Sequence, residues 1–299
     1  MRVFVTGASG HIGSLVVPEL LGAGHEVVGL ARSDRSAAAL TAAGAEPHRG
    51  ALDDLDSLRK AAAAADGVIH LAFMHDFSDY AGAGAADLRA VEAIGEALEG
   101  SGKPFVITSG TAALAPGRVG TERDAPDASG AAAPRVPSDN AAGTLAERGV
   151  RSSALRLPPS VHGPADSHGF IPRLISVARE KGVSAYVGVG ANRWPAVHEL
   201  DAARLYRLAV ESAPAGARLH GVGDEGVPFA GIAEAVGRRL NLPVVAISPQ
   251  QATDHFGWMG ALVAADIPAS SIVTRELMGW RPAHPGLIAD IEAGHYSAA

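Results

Sequence analysis

The chain has 299 residues, 47% of them hydrophobic, and a formal net charge of −7. That length suits one large α/β domain or a domain with a smaller companion. No block of Lys or Arg occurs, and Lys stands only at 60, 103 and 181, which argues against a nucleic-acid partner because neutralising phosphates needs a basic face. Cysteine is absent. This excludes disulfides, thiol nucleophiles and thiolate metal sites, and it fits a reducing, cytoplasmic setting. The N-terminus lacks the apolar core of a signal peptide, and no run of about 18 apolar residues marks a membrane span. No His pair has a metal-ligand spacing such as H-E-x-x-H, so no metal is expected.

In chain order, RVFVT (2–6) predicts a strand, followed by a helix from His11 to about Leu21. EVVGLA (26–31) predicts the second strand, and SDRSAAALTAAG (33–44) a helix capped by Ser33 or Asp34 and ended by Gly44. DDLDSLRKAAAAA (53–65) predicts the next helix, GVIHLAF (67–73) a buried strand, residues 84–99 a longer helix and PFVITS (104–109) another buried strand. Such alternation means βαβ units and a parallel sheet covered on both faces. Residues 115–140 are a Pro-, Gly- and Ala-rich loop, 139–148 a short helix and VRSSALRLP (150–158) a sixth strand. Beyond it helices are expected at 169–181, 200–212, 228–240, 271–278 and 286–293, with strands at 184–187, 218–222 and 243–247. The reading is a dinucleotide-binding domain over 1–158 and a mainly substrate-binding part over 159–299, the chain returning to the first sheet around 192–222.

The strongest signal is TGASGHIG, residues 6–13, which puts Gly7, Gly10 and Gly13 directly between a strand and a helix. Gly7 permits a sharp turn, Gly10 a close approach of backbone to a pyrophosphate, and Gly13 close packing of helix on strand. The loop residues Ser9, His11 and Ile12 lie where the helix N-terminus offers N–H groups and a positive dipole end to the phosphates. The second strand ends in LARSD (30–34). An NAD-specific site commonly carries an acidic residue there; Arg32 and Ser33 suit a 2′-phosphate, so NADP is expected ahead of NAD.

These residues, with Leu52–Asp53, Leu71–Ala72–Phe73, Thr108–Ser109–Gly110, RLPPSVHGP (156–164) and NRWPAVHELDAARLYRLA (192–209), make the chain resemble the short-chain dehydrogenase/reductase superfamily, of extended or atypical type (NAD(P)-dependent epimerase/dehydratase-like). The resemblance implies a Rossmann-like doubly wound parallel sheet with a smaller C-terminal α/β part that binds substrate. It implies that Leu52 and Asp53 flank the adenine, that Leu71, Ala72 and Phe73 line the ribose and pyrophosphate, and that Pro158, Ser160 and Val161 pass near the nicotinamide. Ala51 stands where many relatives have Asp. Relatives also dimerise through the helices after the fourth and before the sixth strand, which implies a homodimer.

Hydride transfer to a carbonyl needs a positioned proton donor. In the superfamily this is a Tyr with a Lys four residues later, assisted by a Ser or Thr after the fifth strand. Ser109, Thr108 or Thr111 can supply the hydroxyl. The tyrosines stand at 80, 186, 206 and 296, and none is followed by Lys four residues on; alignment on the following helix puts Ala131 and Arg135 where Tyr and Lys would stand. The alternatives are His75 and Tyr80 in FMHDFSDY (73–80), at the end of the fourth strand, and His162 in SVHGP. Each also reads as an ordinary loop or packing residue.

The leading expectation is an NADP(H)-dependent oxidoreductase moving hydride between nicotinamide and a small organic carbonyl or alcohol, with a non-standard proton donor. A non-catalytic NADP(H)-binding sensor or regulator competes with it. A sugar-nucleotide epimerase or dehydratase ranks last, because that chemistry leans harder on the missing Tyr and prefers NAD.

Overall fold

Along the first strand, Val3 and Val5 point to one side of the sheet and Phe4 to the other, and all three are fully buried. A strand buried on both faces belongs inside a doubly covered sheet. The computed structural model, which describes residues 1–74, 78–130 and 132–298, shows that sheet. Its strands are β1 (Arg2–Thr6), β2 (Glu26–Ala31), β3 (Glu46–Arg49), β4 (Gly67–His70), β5 (Pro104–Gly110), β6 (Arg151–Leu157) and one from later in the chain, Ala217–His220. Between them run α1 (Gly13–Gly22), α2 (Asp34–Ala42), α3 (Leu55–Ala64), α4 (Tyr80–Leu98) and α5 (Val136–Glu147).

The chain continues through β7 (Ser160–His162), α6 (Phe170–Lys181), β8 (Ser184–Val187), β9 (Arg193–His198) and α7 (Glu199–Ser212) to that last sheet strand, β10. There follow β11 (Asp224–Pro228), α8 (Phe229–Leu240), β12 (Val244–Ile247), α9 (Ala252–Phe256), α10 (Gly260–Ala264), α11 (Ile272–Met278) and α12 (Leu287–Ala293). The large sheet has the order β10-β6-β5-β4-β1-β2-β3, and every neighbouring pair is parallel. The doubly wound Rossmann architecture is therefore present. Strand order reverses between β1 and β4, which opens a crevice at their carboxyl ends, the place where such sheets bind ligands.

One face packs Val3, Val5, Val106 and Leu155 against Val16 and Leu20 of α1 and Leu205 and Tyr206 of α7. The other packs Phe4, Val68, Phe105 and Ile107 against Leu58 of α3, Ile94 of α4 and Leu145 of α5. A further core joins Ile171 and Ile175 of α6, Trp194 of β9, Phe229 and Ile232 of α8, Phe256 and Leu287. It sits on a three-stranded sheet, β11-β9-β7, and a two-stranded one, β12-β8.

Helix starts differ from the sequence expectations for local reasons. The first helix begins at Gly13 rather than His11, because the glycine loop occupies residues 7–12. The helix expected from residue 84 begins at Tyr80, where the Asp79 carboxylate accepts from Gly82 N at 2.9 Å. The helix expected from residue 139 begins at Val136; Pro137 lies in its first turn, where a missing N–H breaks no helical bond. Among the described residues no helix is long and apolar enough to cross a membrane.

Candidate active site

The turn from β1 into α1 is shaped for close contact. Gly7 has φ +68°, and a β-carbon there would sit 2.7 Å from Ala72 N. A β-carbon on Gly13 would collide with the Gly7 carbonyl oxygen. Gly10 N donates to Gly7 O at 2.9 Å. Ser9 and Gly10 are exposed, His11 and Ile12 half-buried, and no described side chain caps α1. Uncapped N–H groups beside side-chain-free backbone fit a pyrophosphate. His11 extends from this loop to the start of α7, its Nε2 2.7 Å from Glu199 Oε2, and Ala165 N donates to Glu199 Oε1 at 2.9 Å. The loop is thus tied to the segment after β7. Burial pushes the nearby Asp166 carboxyl up, and the charge of His11, 3.9 Å away, only partly offsets this.

Beneath the crevice runs a buried polar chain. Ala72 N donates to Thr6 Oγ1 at 3.2 Å, and Thr6 Oγ1 lies 2.8 Å from His70 Nδ1. His70 Nε2 lies 3.2 Å from Asp87 Oδ1 on α4. Asp87 Oδ2 pairs with Arg135 Nη1 at 2.9 Å, and Arg135 Nη2 donates to Thr108 O at 2.6 Å. Burial alone would raise the Asp87 carboxyl, but the His70 hydrogen bond and the Arg135 charge overcome it and hold it below the usual range. The guanidinium lies 4.1 Å from the centre of the Phe73 ring, which meets the Tyr80 ring edge-on at 5.9 Å. Burial pushes the Tyr80 phenol up, Arg135 pulls it down and Asp87 pushes it up again; the net direction is up.

The hydroxyls after β5 divide. Thr108 Oγ1 donates to His70 O at 2.6 Å and lies 2.8 Å from the buried Tyr206 hydroxyl, so it is engaged within the fold. Ser109 is buried beside Asp139, whose carboxylate grips Arg156 through both oxygens at 2.7 and 2.8 Å. Thr111 is buried, and its hydroxyl has no partner among the described residues.

At the second strand, Arg32 is exposed, while the Ser33 hydroxyl accepts from Ser36 N at 3.2 Å and caps α2. Leu52 packs against the core and Asp53 is exposed. Leu71, Ala72 and Phe73 are half-buried at the exit of β4, Pro158 and Ser160 are buried, and Val161 is half-buried.

His75 lies outside the described residues, as does Ala131. His162 is fully buried, its Nδ1 3.0 Å from Asp290 Oδ2, with His198 packed edge-on at 5.6 Å. Asp290 also accepts from the Tyr296 hydroxyl at 2.8 Å and pairs with His295 at 2.9 Å. Phe73 and the Thr108 backbone are thus gathered around Arg135, with Tyr80 against Phe73, whereas His162 belongs to a separate cluster with Asp290, Tyr296 and His295. Asp87 and Glu199 escaped the sequence reading. Asp87 did leave a trace: it stands in the apolar stripe Ala83, Asp87, Ala90, Val91, Ile94 of α4, all buried. Among the described residues no group of three or more His, Asp or Glu is placed to hold a metal.

The family described as "NAD dependent epimerase/dehydratase" matches residues 3–220. An uncharacterized protein of Schizosaccharomyces pombe is 50% identical over 301 residues, covering 99% of this chain and 100% of its own. Among solved structures, MoeE5 in complex with UDP-glucose and NAD has a TM-score of 0.77 at 21% identity, covering 99% of this chain and 98% of that one. The Thermus thermophilus UDP-glucose 4-epimerase complexed with NAD has a TM-score of 0.76 at 22% identity, with all of both chains covered.

These matches correct two expectations. NADP gives way, because the family is NAD dependent and both of these solved structures carry NAD. Locally, half of the argument for a 2′-phosphate fails as well, since the Ser33 hydroxyl serves α2 as its cap. Reduction of a general small carbonyl also gives way, because the same matches favour the sugar-nucleotide reading that the sequence ranked last. The chain belongs to the NAD dependent epimerase/dehydratase family, within the extended short-chain dehydrogenase/reductase superfamily, and is an enzyme of that class.

Proposed function

We infer that the protein binds NAD in the crevice between β1 and β4 and interconverts hydroxyl and carbonyl at a carbon of a nucleotide-linked sugar. The observation that carries the reading is the loop over residues 7–13. Glycines whose β-carbons would collide with backbone bring the uncapped start of α1 to the surface, in a chain whose family match spans residues 3–220. Ser9, Gly10, His11, Ile12 and Gly13 would hold the pyrophosphate through backbone N–H groups. Leu52 and Asp53 would flank the adenine, Arg32 the adenosine ribose, and Leu71, Ala72 and Phe73 the other side of the phosphates. Pro158, Ser160 and Val161 would border the nicotinamide.

NAD when bound supplies a hydride acceptor; the chain's own residues must orient the sugar, exclude water and manage one proton. The unpartnered, buried Thr111 hydroxyl suits a substrate oxygen. MoeE5, which holds UDP-glucose with NAD on the same fold, supports the substrate class.

Calorimetric titration with NAD and NADP, followed by incubation with UDP-glucose and NAD and chromatography of the sugar nucleotide, tests the reading. Tighter binding of NAD and appearance of an epimerised or dehydrated sugar are expected. Failure to bind NAD, or preference for NADP, would sink it.

A further inference from the structure

His11 joins two parts of the molecule. Its backbone lies in the loop between β1 and α1, directly after Gly10 and two residues before Gly13. Its side chain leaves the loop and meets two buried carboxylates, Glu199 at 2% and Asp166 at 4% exposure. Nε2 lies 2.7 Å from Glu199 Oε2, and Nδ1 lies 3.9 Å from Asp166 Oδ1. Among the described residues no Lys or Arg pairs with either carboxylate. Room for this arrangement is built in, because a β-carbon on Gly163 would collide with the Glu199 carboxyl group.

Burial alone would raise the Glu199 carboxyl, but hydrogen bonds from His11 and from Ala165 N hold it below the usual range. Glu199 is therefore an acceptor at neutral pH, and Nε2 carries the proton it accepts. That leaves Nδ1 as the atom at which His11 gains or loses charge. The charged or titratable described groups that face the ring are Glu199 at the start of α7 and Asp166 after β7. Behind them lie His198, beside Glu199, and Tyr296, beside Asp166. On α1 itself the next charge is Glu19, two turns along and held by Arg207.

The charge balance follows directly. Whatever the state of Asp166, the cluster of Glu199, His11 and Asp166 is one unit more negative with Nδ1 bare than with Nδ1 protonated. A pyrophosphate on the loop brings negative charge beside that cluster, where burial weakens solvent screening. Deepening the NAD reading above and resting on it, we propose that His11 takes up a proton at Nδ1 when NAD binds, and that Glu199 is its positioning residue. The proton comes from solvent, and the imidazolium offsets the charge of the pyrophosphate. Affinity for NAD therefore falls as pH rises between about 6 and 8, the range in which an imidazole exchanges its proton. Position 11 thus contributes through its side chain, whereas the glycines contribute through bare backbone, and substitution separates the two.

The test is calorimetric titration of the full chain with NAD at several pH values, each in phosphate and in Tris, so that the dependence of heat on buffer ionisation counts protons. Uptake of about half a proton near pH 7 is expected, equivalent to NAD binding about threefold weaker per pH unit. His11→Gln should bind NAD with no proton uptake and no slope against pH. Because that change leaves the Glu199 charge buried without its partner, the double variant with Glu199→Gln repeats the measurement in a chain free of that charge, with the same flat profile expected. Glu199→Gln alone should shrink the uptake at pH 7, since the imidazolium then lacks its carboxylate. Asp166→Asn should leave uptake in place. NAD binding without proton uptake in the wild type overturns the proposal and leaves the NAD reading standing, as does uptake that persists in both His11 variants. Absence of NAD binding at every pH overturns both.

Discussion

At the scale of single residues, the glycine loop between β1 and α1 makes the sharpest demand. A methyl at position 13 has no room, since the Gly7 carbonyl and the Ala8 backbone already occupy it. Gly13→Ala should force the loop off α1, with overpacking of this kind costing about 1–3 kcal/mol. We expect a lower melting temperature and loss of NAD binding by calorimetry; unchanged affinity would show that the loop does not contact the cofactor. The glycine turn was legible in the sequence, because glycine spacing between a strand and a helix has few structural meanings, although its end at Gly13 rather than His11 was not. The engagement of the candidate proton donors was not. Thr108 reads as a catalytic hydroxyl from its place after β5, yet it is engaged by His70 O and Tyr206. His162 reads as a candidate acid from its loop, yet it is buried against Asp290. In both cases the partners are far away along the chain, and no local pattern records them.

At the scale of elements, α4 carries one side of the buried polar chain. Asp79 caps it and starts it at Tyr80, Gly84 admits the 133–135 turn, and Asp87, one turn further along, meets Arg135. Gly84→Ala should push that turn away and part Asp87 from Arg135. Leaving a buried charge without its partner is strongly destabilising, about 3–5 kcal/mol in comparable pairs. Chemical denaturation at pH 7 would measure it, and a loss below about 0.5 kcal/mol would mean that the turn relaxes freely.

The N-terminal βα units were readable because the apolar runs alternate with capped, Ala-rich helices. The antiparallel pairing of β9 with β11 was not. Pro195 interrupts one strand, and the other, Asp224–Pro228, is acidic, contains Gly226 and bulges between Asp224 and Val227. Neither shows the apolar alternation of a strand, since their pairing rests on tertiary packing. The short helices α9 and α10, five residues each, lie below the length at which periodicity can be seen.

At the scale of the whole molecule, buried ionisable groups set the response to acid. Burial pushes the His220 imidazole down to about 4. Its proton affinity is lower folded than unfolded, so its contribution is complete above about pH 6.5 and is lost as pH falls towards 4. Asp290 behaves in the same sense at lower pH. Burial would raise its carboxyl, but hydrogen bonds from His162, Tyr296 and His295 hold it at about 2, and its contribution is lost between about pH 4 and 2. On acidification these two groups should therefore withdraw stability in succession, His220 by about 3 kcal/mol and Asp290 by about 2 kcal/mol at roughly 1.4 kcal/mol per pH unit. Asp87 and Asp139, also held below the usual carboxylate range, lose stability in the same acid window, so Asp290→Asn should shrink the second stage and leave the first; an unchanged second stage would contradict this.

The position of β10 has a consequence for how the protein is made. Its partner β6 ends at Leu157, and β10 begins at Ala217. During synthesis, the open edge of β6 waits for about 60 residues, or about 3–12 s at ordinary translation rates. In that interval five of the six strands already made can pair with their final neighbours, while β6 offers a row of unpaired backbone groups on its outer side. The nascent chain is therefore most exposed to misassociation in a defined window, between release of Leu157 and release of His220. Ribosome-stalled chains ending before and after that window should differ sharply in their recruitment of chaperones.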